Sequence, residues 1–471
     1  MMILPSSVDG LSDAELIDFQ AMVQQWESKQ ERNALRTEYY LGHNLLDDLG
    51  IAIPPFLKNT ETVVGWPAKA VDALVERSKF DRFVAPGSDD DPLGLREDLS
   101  RNGFSELYRQ AVRAQLIHSV VFWTVTGTKS RVNVSVRTAD MATALWDYET
   151  QRVRCGMAIT DFDVAPGGNK SPSKLVLFFI DRTVYLERDG SQWAVTGEHS
   201  HAVGRPLIVP MAFEPSEMRP FGRSRITREV MSLTDSAQRA ALRMEVLMEF
   251  NTAPQKFLLG AEEDAFKHGK WKAYLSEILA ISRDEDGQLP SFGQLPQVSP
   301  QGAIAYYGHL AARFAGATGL PLSSLGVVHE NPASAEAIMS AKDDLFTIAE
   351  ALNAGNSLAL VEVGRLLYAV QATIEYGELP DEALMLEAHF SSVRNPSLVS
   401  SGDAVAKIVP AIPYLADTTW ILEQLGMDES DIVRVLADKR KAEAGSMLDR
   451  VLESRKSVTV DVDSGPTTAE V

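Results

Sequence analysis

The chain has 471 residues, a mass of 51.6 kDa, 45 % apolar and 23 % charged residues; it is long enough for two or three structural regions and apolar enough to bury a real core. Its 45 Lys and Arg stand against 65 Asp and Glu, a formal net charge of −20, with no basic cluster longer than stretches such as Lys439-Arg440-Lys441; this argues against tight nucleic-acid binding, although nucleic acid can slide past an acidic wall that repels it. Cys155 is the single cysteine, so one chain forms neither a disulfide nor a multi-cysteine metal site. The start Met1-Met2-Ile3-Leu4-Pro5-Ser6 lacks a signal-peptide pattern and no run approaches ~18 apolar residues, so a soluble protein is expected.

Residues 11–50 read as helical. Ser12 is an N-cap with Glu15 three residues on, as in a capping box, and Leu16, Phe19, Met22, Val23 and Trp26 recur at helical spacing. Tyr39, Tyr40, Leu45, Leu46 and Leu49 continue the apolar face towards Gly50. A second helix is predicted over about 61–79, an acidic solvated loop over 85–94 and a third helix over 104–118. The pattern then turns β-rich. Strands are predicted at 120–125, at the alternating Arg131–Arg137, and at 175–180, 183–186 and 193–195, with Asp189-Gly190 as a hairpin turn. One small, mainly antiparallel sheet over 120–212 is the expectation.

Residues 225–250 hold no Gly or Pro. Ile226, Val230, Leu233, Ala237, Ala241, Met244 and Met248 step by three or four, which predicts a helix of roughly 26 residues, ~39 Å long, with Arg228, Glu229, Asp235, Arg239, Arg243 and Glu249 on its other face. Such a helix needs neighbours from its own chain or from other subunits. Residues 251–300 are broken by Pro and Gly, with one short helix expected at about 262–281. A helix follows at about 301–315, ended by Gly316 and Gly319-Leu320-Pro321, then a loop from Ser323 to Glu330. Asn331-Pro332 starts a long helix through Ile338, Ala341, Leu345, Ile348 and Leu352 to Tyr376, bending near Gly355 or Gly364. Shorter helices are expected at 401–415 and 418–425, a last one from Asp428 to about Val451, and then a polar tail.

Signatures of catalysis are missing. Gly127-Thr128-Lys129-Ser130 and Gly269-Lys270 lack the upstream glycine of a Walker A loop, and there is no GxGxxG, GxSxG or HExxH, since Asn331-Pro332-Ala333 follows His329-Glu330. His199 and His201 share one face if they lie on a strand and would then chelate a metal, but no third ligand is near, so a polar strand edge is the simpler reading. Ser282, Asp284, Asp286 and Gly287 echo a calcium loop, yet Gly293 stands where its bidentate Glu belongs. Acid pairs such as Asp161 with Asp163 and Asp147 with Glu149 read as surface charge. No enzyme, cofactor or metal site is expected.

Two stretches carry a resemblance. The first is Phe221-Gly222-Arg223-Ser224-Arg225-Ile226, the long helix, then Asn251-Thr252-Ala253-Pro254-Gln255. The second is Gly316-Ala317-Thr318-Gly319-Leu320-Pro321, Leu325-Gly326, then Asn331-Pro332-Ala333-Ser334-Ala335-Glu336-Ala337-Ile338, in which Ala333 stands where Ser is usual. Both, in this order around a Pro/Gly-rich insert, resemble the phage portal protein family in the branch typical of long-tailed phages.

The resemblance implies an α+β portal fold: a wing over 1–220, a stem helix over 221–250, a small clip module over 251–300, a second stem helix over 301–319, a tunnel loop over 320–335, a long kinked helix over 336–378, a helical crown over 379–455 and a disordered tail over 456–471. It implies a homo-oligomeric ring of about twelve subunits at one capsid vertex, assembled in the host cytoplasm, through which double-stranded DNA passes without being gripped. Its implied partners are the large terminase subunit, a head–tail connector or adaptor, scaffold and the major capsid protein, with no membrane. Ser323, Ser324, His329, Glu330 and Asn331 are then candidates to face DNA, and Glu262, Glu263, Lys267 and Lys270 to face terminase. Arg228, Arg239 and Arg243 are candidates to pair with acids of adjacent subunits; pairing within the helix, with Asp235 and Glu245 flanking, is the local alternative. A different head-completion or adaptor protein without a DNA channel leaves the stem–clip–stem order unexplained, and a hydrolase lacks any motif.

Overall fold

The computed structural model describes residues 8, 10–46, 62–86, 91–129, 131–164, 170–190, 192–252, 256–259, 291–294, 296–327, 335–394, 398–427 and 429–460. The chain divides into two compact units, Met1–His389 and Phe390–Val471.

In the first unit, α1 (Asp13–Leu41) opens with the expected capping box: Glu15 N donates to Ser12 Oγ at 3.5 Å, and Ser12 N donates to the Glu15 carboxylate at 2.9 Å. The helix stops well before Gly50. Gly42 caps it with a left-handed φ of 72°, and a Cβ there would come 2.7 Å from Val63 Cγ1. The second helix is also shorter than expected. Pro67 fixes the first turn of α2 (Trp66–Val75), and the chain leaves towards β1 (Phe80–Val84). The short α3 (Arg96–Arg101) precedes α4 (Phe104–His118), which has the predicted bounds.

Two antiparallel sheets replace the single small one expected. The first joins β2 (Val120–Thr128), β3 (Arg131–Thr138) and β9 (Ile208–Ala212) in the order β3-β2-β9. The second runs β4-β5-β6-β7-β8, from β4 (Ala142–Asp147), β5 (Arg152–Val164), β6 (Lys170–Phe178), β7 (Arg182–Asp189) and β8 (Gln192–Ser200). Asp189 pairs with Gln192 across the expected hairpin turn. Neither β4 nor β5 is evident in the sequence, because Cys155–Ile159 is buried on both faces and shows no alternation. On one face Cys155, Met157, Ile159, Leu175, Leu177, Val184, Leu186 and Trp193 form a core with Phe19, Met22, Val23 and Trp26 of α1. On the other, a Cβ at Gly156 would come 2.7 Å from Ile208 Cγ2 of β9, so the glycine sets how closely the two sheets approach.

The long helix forms as α5 (Arg228–Thr252), three residues later than expected at its start. Its buried stripe follows Ile226, Val230, Leu233 and Ala237 and then shifts to Ala240, Leu242 and Val246, leaving Met248 51 % exposed. α6 (Gln301–Thr318) packs antiparallel to it, and beyond them β10 (Lys256–Leu259) pairs with β11 (Ser291–Gln294). The helix predicted at 262–281 and the calcium-loop echo at 282–287 lie outside the described residues. α6 runs through Gly316 and ends at Gly319, whose φ is 64°.

The following helix is interrupted. A short α7 (Ala335–Ser340) is separated by a turn from α8 (Asp343–Ala372), which passes unbroken through Gly355 and Gly364. Gly364 serves close approach, since Phe83 and Leu386 stand 2.9–3.3 Å from where its Cβ would be. A last short helix of the unit is α9 (Asp381–Leu384).

The second unit holds α10 (Leu398–Ala411), α11 (Thr419–Gln424) and α12 (Glu429–Val460). α12 extends past the predicted Val451 and into the expected tail, because no Gly or Pro interrupts 446–464. Among the described residues no helix is long and apolar enough to cross a membrane.

Candidate functional site

The two motif stretches meet in space at the root of the α5–α6 hairpin. Gly222 has a φ of 66°, and a Cβ there would overlap the Phe213 carbonyl oxygen. That carbonyl accepts from Arg223 N at 2.8 Å. Ser224 is buried; its hydroxyl donates to Ile117 O at 2.5 Å and accepts from Ile226 N at 3.0 Å. It therefore ties the end of α4 to the first turn before α5, a bond that demands a short hydroxyl side chain. Arg225 does more. Its N donates to Leu116 O at 2.8 Å, and its Nη2 donates to Thr318 O at the C-terminus of α6. There the guanidinium meets the negative end of the helix dipole. Burial holds its pKa down to about 10, against a weaker opposing pull from Glu214. Thr318 in turn donates from Oγ1 to Phe314 O at 2.7 Å. Thus Arg225 of the first stretch holds Thr318 of the second, from a turn whose backbone Gly222 and Ser224 fix against Phe213 and Ile117.

The hairpin is braced from two sides. Tyr39 on α1 donates to the Asp235 carboxylate at 2.8 and 3.0 Å, and Asn44 donates to Gln238 at 2.8 Å. Trp66 on α2 packs against Tyr307 and Phe314 of α6 with ring centroids 5.3 and 5.2 Å apart. Towards its far end the hairpin is less covered: Met248, Val298, Ile304 and Tyr306 are all about half exposed or more.

Arg228 and Arg243 are exposed on α5 and Arg239 is half-buried, its guanidinium donating to Ser236 Oγ at 3.3 Å. Among the described residues none of the three makes an ion pair, and Asp235 is taken by Tyr39 and Asn44 rather than by Arg239. Ser323 and Ser324 lie on a 3-10 turn, Leu322–Leu325, the first exposed and the second half-buried. His329, Glu330 and Asn331, and Glu262, Glu263, Lys267 and Lys270, lie outside the described residues.

Behind the root, α8 is fixed by a buried polar chain. Ser78 donates to Asn353 Oδ1 at 2.6 Å and shares a 2.6 Å bond with the Tyr108 hydroxyl. Asn356 donates to that hydroxyl at 3.0 Å and accepts from Gln115 at 2.6 Å. Burial pushes Tyr108 up to about 12. Along the exposed side of α8 a groove of about 990 Å³ is walled by Leu358, Glu362 and Tyr376, with Arg205 pairing to Glu362 at 2.6 Å and lying 3.4 Å over the Tyr376 ring. Among the described residues no three His, Cys, Asp or Glu side chains converge to hold a metal. His199 lies in β8 opposite Thr183, and His201 lies just beyond the strand, with its backbone N on Asp181 O at 2.9 Å.

The roles of Arg225 and of Asp235 were not legible in the sequence, because their partners lie 93 and 196 residues away.

No protein-family model matches the chain. It is 24 % identical over 400 residues to the portal protein of Mycobacterium phage D29, covering 82 % of this chain and 81 % of that one. To the portal protein of Mycobacterium phage L5 it is 23 % identical over 399 residues, covering 82 % and 80 %. Among solved structures it is similar to a chain from the virion of a native gene transfer agent particle, at a TM-score of 0.44 and 13 % identity, covering 81 % of this chain and 89 % of that one. A chain from the neck of that native particle, computed with C12 symmetry, gives 0.42 and 13 %, covering 75 % and 88 %. With sequence likeness running through four fifths of both partners, the protein is a relative of the phage portal proteins.

Proposed function

We propose that the chain is one subunit of a dodecameric ring at a single capsid vertex, the channel through which DNA enters during packaging and leaves at ejection. The observation that carries this reading is the likeness to two phage portal proteins over 82 % of the chain. The physical features support it. The α5–α6 hairpin is anchored at one end and leaves apolar residues uncovered towards the other, as a stem that packs against copies of itself requires. The net charge of −20 suits a conduit that must not hold DNA. The subunit is structural, without cofactor or metal, and the motor is a separate terminase.

In this reading the first unit to residue 220 is the wing, α5 and α6 are the stem, and 251–300 is the clip, where Glu262, Glu263, Lys267 and Lys270 meet terminase and afterwards the head–tail connector. Ser323, Ser324, His329, Glu330 and Asn331 belong to the tunnel loop that faces DNA. Arg228, Arg239 and Arg243 reach acids on the neighbouring stem. Residues 336–378 continue to the channel wall, and 379–455 form the crown inside a capsid built with scaffold and major capsid protein. The purified chain is tested by mass photometry with negative-stain imaging. A species at 12 × 51.6 kDa, about 619 kDa, with a central hole is the expected result. A closed dimer or trimer enclosing a pocket overturns the reading.

A further inference from the structure

A cavity of about 580 Å³ opens between α1, the end of β4 and the Met218–Arg223 segment that leads into the hairpin root. Its walls carry Lys29, Arg32, Arg36, Arg154, Arg219 and Arg223, and no Asp or Glu. In a chain whose acids outnumber Lys and Arg by 65 to 45, that is an inverted local balance. Arg154 is paired with Asp18 at 2.5 Å, and Arg223 with Glu214. The other four make no ion pair among the described residues. Lys29 lies 5.3 Å over the Phe221 ring, and Arg36 donates to the His118 carbonyl at 3.4 Å.

Burial and the proximity of Arg32 push both Lys29 and Arg36 downward, Arg36 to about 10. Partly dehydrated like charges crowded on one wall cost free energy, and an oxyanion that accepts several charged N–H bonds relieves it.

We propose that this cavity receives carboxylates from a second copy of the chain. The proposal rests on the ring reading above and names one of its contacts. A protein surface fits better than a free ion, because the same cavity is edged by large apolar side chains left open, Met218 at 82 % and Tyr148 at 57 % exposure. A copy of this chain fits best, because its acidic surplus supplies the complementary charge. The position, at the foot of a hairpin whose outer face is uncovered, makes the contact continuous with stem packing.

The test is a comparison of three full-length chains by mass photometry across protein concentration, at about 0.05 and about 0.5 M salt: wild type, Arg32→Glu/Arg219→Glu, and Arg32→Lys/Arg219→Lys. Circular dichroism melts confirm that each variant folds. The Glu pair is expected to raise the assembly midpoint about tenfold or more and to lose the salt dependence of wild type, whereas the Lys pair keeps both. If the Glu pair folds and assembles at the wild-type midpoint, the proposal is overturned while the ring reading stands. If wild type forms no ring under any condition, the ring reading and the proposal fall together. If millimolar pyrophosphate raises the melting temperature of wild type but not of the Glu pair, and assembly is the same in both, the cavity is a free-oxyanion site and the second copy is ruled out.

Discussion

Replacing Gly222 by Ala should destabilise the first unit by about 3 kcal/mol, although it adds only a methyl group. Two costs combine. Gly222 sits at a φ of 66°, where an L side chain costs roughly 1–2 kcal/mol. The added Cβ would also overlap the Phe213 carbonyl oxygen, a backbone atom that cannot rotate away. The segment must therefore move, and the bond from Arg223 N to Phe213 O at 2.8 Å is the first to be lost, at about 1 kcal/mol. Gly316→Ala is the matched control: it lies inside α6, exposed, with nothing within 4 Å of its Cβ position, and should gain roughly 0.5–1 kcal/mol. Urea titration of the unassembled chain, read by circular dichroism and by hydrogen exchange of the α6 amides, measures both. If Gly222→Ala falls within about 0.5 kcal/mol of wild type, the backbone approach at the root is not what requires a glycine there.

Tyr108→Phe should cost about 1–3 kcal/mol, since it leaves Ser78 and Asn356 facing an apolar ring edge inside the core; denaturant midpoints measure it. Burial holds His118 below its ordinary pKa, so the folded state resists protonation that the unfolded chain accepts. Stability should then be constant above the unfolded value of about 6.5, fall as pH drops from there towards the depressed folded value, and fall less in His118→Gln, as melts over that range will read. Cys155 is buried against Asp18 with its thiol pushed up to about 12, so a thiol reagent at neutral pH should label it only at the rate at which the five-stranded sheet opens.

How legible these features are in the sequence depends on the range of the interaction behind each. The α1 capping box, the bounds of α4, the Asp189-Gly190 hairpin and the existence of α5 are set by residues within a few positions of one another, and periodicity exposes them. The end of α1 is set by Val63 against Gly42, and the two-sheet architecture by Ile208 against Gly156, contacts that no local pattern carries. Asp235 illustrates the limit at the site. Its spacing to Arg239 suggests a helical ion pair, yet a tyrosine hydroxyl 196 residues earlier takes the carboxylate. The stripe of α5 drifts for a related reason. Beyond Ala237, the residues Ala240, Leu242 and Val246 turn inward in place of Ala241, Met244 and Met248, on a helix packed against α6, a partner far along the chain.

The two ends of the hairpin are held by different physics, and this bears on how a subunit enters an assembly. At the root the contacts are directional and largely neutral: Ser224 on Ile117 O, Arg225 N on Leu116 O, and the packed rings of Trp66, Tyr307 and Phe314. Such bonds change little with salt and fix the direction in which α5 and α6 leave the unit. Away from the root, Met248, Val298, Ile304 and Tyr306 offer exposed apolar area with no partner among the described residues, at roughly 25 cal/mol for each Å² that becomes covered. A rigid root lowers the entropy cost of presenting that face, because the direction of the hairpin is set before any neighbour arrives. Association along the hairpin should therefore be driven by apolar burial and persist at high salt, while the basic cavity at its foot makes the salt-sensitive contribution.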